Sequence, residues 1–369
     1  MAQPHTVRWG ILVFTKDLLV DPSSRDVNDV KHEVVAVASS SSADKAKKFI
    51  RDCDVPSSAA AYGSYEELVA DKNVDVIYIA TPHSHHFQNG MLCLNAGKHV
   101  VCEKPFTVNA EQTKVLAELA TKKKLFLMEA VWTRFFPLSV QIRDMVSGGK
   151  IGKVYRVMAD NSFGDNVEEK YGTEHRMVNM ELAGGAMLDL GIYSLTWVFQ
   201  ILYHLEPAAS RQPPTVASAM SKYPKTGADE LTSMIVTFPN TAAHGIATTN
   251  IRVASNPDGH HSAGPAIRIQ GTQGEIQVYG PAFRPTRYRI IPKGDEKTPP
   301  NVQDVECKIP GHGMFWEADE AARCIRDGRL QSDVMSLAES VTIMEVMDQA
   351  RRQNDLVYPE WMESVVYNG

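Results

Sequence analysis

The chain has little glycine at the place where its opening pattern calls for it. Val7-Arg8-Trp9-Gly10-Ile11-Leu12 has the continuous apolar character of a buried first strand. Val13-Phe14-Thr15-Lys16-Asp17-Leu18-Leu19 then leads almost directly into a helix. A G-x-G-x-x-G turn at such a junction lets backbone N–H groups and the helix N-terminus hold a pyrophosphate. Here Gly10 alone remains, inside the strand, and Ile, Leu, Val and Phe supply bulk where small residues are expected. Cysteine is also sparse: Cys53, Cys93, Cys102, Cys307 and Cys324 are odd in number and scattered, with no C-x-x-C. That pattern excludes a disulfide framework and a zinc ribbon, and predicts free thiols in a reducing, cytoplasmic setting. Charge of one sign is not in large excess. The formal net charge of −6 predicts no nucleic-acid and no membrane-surface partner. Apolar runs such as Val74–Ala80 are of strand length, too short to span a bilayer. Met1-Ala2-Gln3-Pro4-His5 lacks the basic and apolar regions of a signal peptide. Repeats, heptads and low-complexity tracts are absent from the sequence.

What is present is an α/β alternation. A chain of 369 residues suggests two domains. Strands are predicted at Val7–Leu12, Glu33–Ala38, Val74–Ala80, His99–Cys102 and Leu125–Glu129. They are rich in Val and Ile and apolar on both faces, as in a covered parallel sheet. Helices are predicted between them at Ala43–Arg51, Tyr65–Ala70, Phe87–Ala96 and Ala110–Lys122, the last with Asn109 as N-cap. This order predicts a Rossmann-like doubly wound domain over residues 1–132. After Phe135-Phe136-Pro137, period-two strands predominate, from Val154–Asp160 to Tyr288–Ile291, with Gly271-Thr272-Gln273-Gly274 as a hairpin turn. Residues 133–369 are therefore expected to form an α+β domain built on a large, mostly antiparallel sheet. Phe315–Asp327 and Ser336–Arg352 have the pattern of amphipathic helices.

Three segments carry side chains suited to chemistry. Thr81-Pro82-His83-Ser84-His85-His86 follows a strand at the sheet edge where doubly wound folds bind ligands. Its three histidines lie within four residues and lack the spacing of a metal site, so no metal is expected. Glu103-Lys104-Pro105 ends another strand and aims an ammonium at the same crevice, beside a surface-pair reading of Glu103 with Lys104. Ala183-Gly184-Gly185 opens a helix on which Asp189 and Tyr193, four residues apart, share a face. A tyrosine beside a lysine can serve as general acid and base, and the bland alternative is that Tyr193 simply packs. Ser39-Ser40-Ser41-Ser42, with Lys45, Lys47 and Lys48 behind it, puts no carboxylate at the end of the second strand. Hydroxyls and ammoniums there favour a 2′-phosphate, hence NADP over NAD, although the serines would also cap the next helix.

In these stretches the chain resembles the Gfo/Idh/MocA oxidoreductases. Within that family it is similar to the branch of dimeric dihydrodiol dehydrogenases and fungal NADP-dependent D-xylose 1-dehydrogenases. Val34–Ser40, Tyr78–His86, Cys102–Pro105, Met128–Pro137, Leu182–Tyr193 and Gly313–Ala318 carry the resemblance. It implies an NADP-dependent dehydrogenase that oxidises the C1 hydroxyl of a pyranose such as D-xylose, or a trans-dihydrodiol, by hydride transfer. Lys104, Tyr193 and Asp189 would form the catalytic set. Gly10, Ser39, Ser40, Thr81, Pro82, His86, Glu103 and Lys104 would line the cofactor, and Trp132, Arg134 and Arg176 the substrate. A homodimer through an uncovered sheet face is implied as well. The shortened first turn leaves an alternative, a catalytically impaired relative that binds a sugar or nucleotide as a sensor.

Overall fold

The computed structural model describes residues 3–12, 27–295 and 300–369. The turn after the first strand, residues 13–19, on which the missing glycine motif was argued, lies outside the described residues.

Strands and helices alternate first: β1 (His5–Leu12), β2 (Val30–Ala38), α1 (Ala43–Asp52), β3 (Ala60–Tyr62), α2 (Tyr65–Ala70) and β4 (Val76–Ile79). They continue with α3 (His86–Asn95), β5 (His99–Glu103), α4 (Ala110–Lys123) and β6 (Leu127–Ala130). Next come α5 (Pro137–Ser147), β7 (Val154–Asp160), the single turn α6 (Val167–Lys170) and α7 (Ile192–Leu202). The strands β8 (Thr215–Lys222), β9 (Asp229–Phe238), β10 (Ala243–Asn250), β11 (Ile267–Gly271), β12 (Gly274–Tyr279), β13 (Arg287–Pro292) and β14 (Gln303–Glu306) follow. Helices α8 (Phe315–Arg326), α9 (Leu337–Gln353) and α10 (Glu360–Glu363) come last.

The chain divides into two compact units. The first comprises Met1–Trp132, Ile309–Val341 and Trp361–Gly369; the second comprises Thr133–Lys308 and Thr342–Glu360. The expected assignment of all of 133–369 to one domain is thereby corrected. Helix α8 belongs to the first unit because buried polar contacts tie it there. Trp9 Nε1 donates to His32 Nδ1 at 3.1 Å, so His32 Nε2 is the ring donor to Asp319 of α8 at 2.7 Å.

In the first unit, six parallel strands run in the order β3-β2-β1-β4-β5-β6, the order of dinucleotide-binding folds. All four residues of β4 are buried, as expected of a strand covered on both faces. The short edge strand β3, three half-buried residues, carries too little pattern to be predicted. Asn109 caps α4 by accepting from Gln112 N, as its sequence implies. At Gly10 a Cβ would stand 2.9 Å from both Leu68 and Val74, so the glycine lets α2 and the segment before β4 pack against β1.

In the second unit the strand order is β14-β13-β12-β11-β7-β10-β9-β8, antiparallel throughout except for β7 beside β10. Every residue of α7 is buried. It lies on β7 and β10, and a Cβ on Gly245 would come within 2.2 Å of Val198. The sequence reading held apolar runs to strand length, and this too is corrected. Met180–Leu202 has a mean hydropathy of 1.3 and is long and apolar enough to cross a bilayer, but 94 % of its most apolar window is buried in the fold. It is the core helix of this unit.

Candidate active site

The first unit carries Thr81, Pro82, His86, Glu103 and Lys104 of the expected set, at the carboxyl ends of β4 and β5. The turn that carries Lys104 is tightly held. His86 is fully buried, with Nδ1 2.9 Å from Pro105 O and Nε2 2.9 Å from Thr81 O. Burial pushes its pKa down to about 4, although both carbonyls favour a proton on the ring. With both ring nitrogens engaged, His86 is a brace and not a metal ligand. Thr81 is buried too, its hydroxyl accepting from Asn89 Nδ2 at 3.0 Å, whereas Pro82 is exposed. On the other side, Glu129 of β6 accepts from Phe106 N at 3.1 Å and from Ser340 Oγ at 2.6 Å. Braced by His86 and Glu129, the half-buried Lys104 has a defined origin at the strand end. Glu103 beside it accepts from Lys104 N at 3.2 Å and from the Tyr78 hydroxyl at 2.8 Å. The same hydroxyl lies 3.0 Å from Glu317 Oε1.

At the end of β2, Ser42 caps α1 by accepting from Lys45 N. Ser39 and Ser40 precede it with no carboxylate between them and the helix. Lys47 pairs with Asp44 at 3.1 Å and Lys48 pairs with Asp52. Lys45 is exposed and has no ion-pair partner among the described residues. This donor set, hydroxyls plus one available ammonium, suits a phosphate monoester at the ribose 2′ position.

The second unit carries Asp189, Tyr193, Arg134 and Arg176 of the expected set. Met187–Gly191 forms a π turn that runs into α7, a local widening often found at functional sites. The Leu190 carbonyl accepts from Asn161 Nδ2 at 3.1 Å. Asp189, 3 % exposed, is ion-paired with Arg176 Nη1 at 2.7 Å. Arg176, expected along the substrate, therefore acts on Asp189. Tyr193 is 7 % exposed, with its ring centroid 5.7 Å from that of Phe283. The glycine pair makes the close approaches expected of it. A Cβ on Gly184 would stand 2.7 Å from Arg176 O and from Asn179 N. Tyr358 donates to Gly184 O at 2.9 Å. Asp229 accepts from Met187 N and from the Thr232 hydroxyl, both at 2.7 Å, at the start of the turn. Burial pushes its carboxyl up to about 6. Arg134 departs from expectation. It is fully buried and has no surface to offer an open pocket, and its carbonyl accepts from Arg143 at 2.9 Å. Trp132 is half-buried, in a 3₁₀ turn at the end of the first unit's opening segment.

Tyr78, Glu129, Asp229 and Glu317 were not singled out from sequence. Their one signal was a carboxylate, or a tyrosine, set among apolar neighbours in a buried element.

A parallel six-stranded sheet in dinucleotide-fold order, with a lysine turn at its carboxyl edge, accompanies a mostly antiparallel sheet that carries an acid–tyrosine helix. Two family models match: "Oxidoreductase family, NAD-binding Rossmann fold" over residues 21–131, and "GFO/IDH/MocA C-terminal domain" over residues 139–277. The chain belongs to the Gfo/Idh/MocA oxidoreductase family. It is 52 % identical to the D-xylose 1-dehydrogenase (NADP(+)) of Hypocrea jecorina, over 99 % of this chain and 96 % of that one. It is 34 % identical to the human trans-1,2-dihydrobenzene-1,2-diol dehydrogenase, over 96 % of this chain and 98 % of that one. Among solved structures, an NAD binding oxidoreductase from Klebsiella pneumoniae shares the fold with a TM-score of 0.77 at 18 % identity, covering 94 % of this chain and 96 % of that one. The aldose-aldose oxidoreductase of Caulobacter crescentus superposes with a TM-score of 0.73 at 20 % identity, over 94 % of this chain and 98 % of that one.

Proposed function

We propose that this protein is an NADP-dependent dehydrogenase that oxidises the C1 hydroxyl of a pyranose, D-xylose first among them, with trans-dihydrodiols as a second substrate class. The observation that carries this reading is the 52 % identity to the fungal D-xylose enzyme over nearly the whole chain. When bound, NADP⁺ supplies a hydride acceptor at its nicotinamide ring. Tyr193, held as a phenolate that Lys104 stabilises electrostatically, takes the proton from the substrate hydroxyl and becomes the neutral phenol. Asp189, charge-paired with Arg176, keeps a fixed negative charge one turn from Tyr193. Ser39, Ser40 and Lys45 hold the 2′-phosphate. Thr81, Pro82, His86 and Glu103 belong to the cofactor's wall, and Trp132 to the substrate's.

The same reading includes a shortened first turn. The family-model match begins at residue 21, after β1. The comparison with the fungal enzyme runs over 384 positions against 369 residues in the chain. Fewer backbone donors to the pyrophosphate mean weaker cofactor binding than a full glycine loop provides. A homodimer fits the reading as well. Register aligns Met158, Ile246, Ile235 and Ala217 across β7, β10, β9 and β8. Ile235 in that row is 49 % exposed, so the row forms an apolar stripe that a second copy would cover.

Titration with NADPH and NADH, followed by nicotinamide fluorescence, tests the proposal. Saturable NADPH binding, tighter than NADH, is expected, followed by D-xylose-dependent NADP⁺ reduction. No binding up to millimolar cofactor would sink the dehydrogenase reading in favour of a sensing protein.

A further inference from the structure

The first unit contains a buried line of three oxygens. Tyr78 Oη, on β4, stands 2.8 Å from Glu103 Oε1 at the end of β5 and 3.0 Å from Glu317 Oε1 on α8. A phenol has one proton and can donate to one carboxylate at a time. If both glutamates were ionised, one would face the phenol oxygen lone pair to lone pair in a buried setting, which is strongly unfavourable. One carboxyl must therefore carry a proton and donate it to Tyr78 Oη.

The surroundings decide which. Glu317 is 1 % exposed, and its second oxygen, Oε2, is buried with no hydrogen-bond donor among the described residues. Glu103 is only half-buried, lies beside Lys104, and its Oε2 accepts from the Lys104 amide. Among the described residues, the charged groups that act on Glu317 are Glu103 and, if ionised, Tyr78. Burial first, and the Glu103 charge second, push the Glu317 carboxyl well above the usual range. Burial and the two glutamates likewise keep the Tyr78 phenol protonated.

We propose that Glu317 is a neutral carboxylic acid in the resting protein and heads a one-way hydrogen-bond line, Glu317 to Tyr78 to the Glu103 carboxylate, that positions Glu103 beside Lys104. Glu317 and Tyr78 are positioning residues. Their effect on cofactor binding rests on the reading of Glu103 as part of the cofactor wall, but the protonation state does not. The Glu103 carboxylate is thereby fixed at the Lys104 turn, where it accepts from the Lys104 amide. The buried acid behind it contributes a donor without adding a second negative charge.

Infrared difference spectroscopy on the cofactor-free protein at neutral pH reads the protonation state directly. Wild type minus Glu317→Gln is expected to show the carbonyl band of a protonated carboxylic acid. Absence of that band, or its survival in Glu317→Gln, overturns the proposal. The positioning role is read from NADPH affinity. Glu317→Gln, whose amide N–H replaces the acid O–H, should stay within about threefold of wild type. Glu317→Met, which lacks a donor, should weaken binding roughly two- to tenfold, and Tyr78→Phe, which removes the bond to a charged group, roughly tenfold or more. Equal losses in the Gln and Met variants would overturn the positioning line. If Glu317→Met does not fold, Glu317→Gln against Tyr78→Phe still decides the matter. If wild type binds no NADPH, the dehydrogenase reading fails while the infrared band still decides the state of Glu317.

Discussion

Asp229 Oδ1 occupies the space that a side chain on Gly185 would need: a Cβ there would stand 2.1 Å from it. Gly185 has φ of 141°, a conformation that other residues rarely adopt. The carboxylate of β9 is thereby brought against the backbone that begins the Asp189–Tyr193 turn. Gly185→Ala meets both obstacles and should destabilise the protein by several kcal/mol, on the order of 2–4. Urea unfolding checks this; a loss under about 1 kcal/mol would show that the clamp is not needed.

Two buried groups titrate with opposite sign. Asp229 rises from 3.8 to about 6 on folding, so its contribution is fully present below pH 4 and is lost as pH rises through 6, by about 3 kcal/mol. Asp229→Asn keeps an acceptor for Met187 N and should abolish that decline. His86 falls from 6.5 to about 4, so its contribution is present above pH 6.5 and is lost as pH falls through 4, again by about 3 kcal/mol. His86→Gln should remove that acid-side loss. Stability measured from pH 4 to 8 for the three proteins tests both signs, and a variant curve parallel to wild type refutes the corresponding assignment.

The Arg176–Asp189 pair joins a half-exposed cation to a buried carboxylate. Arg176→Met leaves Asp189 buried without this partner. The exposure of Arg176 tempers the loss to about 1–3 kcal/mol of stability. kcat/KM should fall as well, because Asp189 loses the charge partner that holds it one turn from Tyr193. Arg176→Lys should restore part of both effects. An unchanged kcat/KM in Arg176→Met would separate Asp189 from the chemistry.

Tyr193→Phe removes the hydroxyl and leaves the ring to pack beside Phe283. Turnover should fall roughly 10²- to 10⁴-fold with NADPH affinity unchanged. Equal turnover in the variant would return Tyr193 to the core-packing role that its near-complete burial also allows.

Elements whose periodicity is local were legible from the chain. The Val- and Ile-rich strands, the Asn109 cap and the Gly271–Gly274 hairpin turn were all read from neighbours a few residues apart. The family, too, was readable, through a resemblance spread over Val34–Ser40, Tyr78–His86, Cys102–Pro105, Met128–Pro137, Leu182–Tyr193 and Gly313–Ala318. That Gly10 makes room for Leu68 and Val74 was not legible, because a strand glycine has the same letter whatever packs beside it. Arg134 was misjudged because sequence cannot show that a long cation is fully enclosed.

The chain by itself determined the longer elements of both sheets and the chemistry available at the strand ends, since these depend on residue type and short spacing. Tertiary structure alone decided that Glu317 meets Tyr78 across 239 positions, that Asp229 clamps Gly185, and that Arg176 answers Asp189. Those contacts join residues distant in sequence, and their ionisation depends on burial, which exists only once the chain has packed.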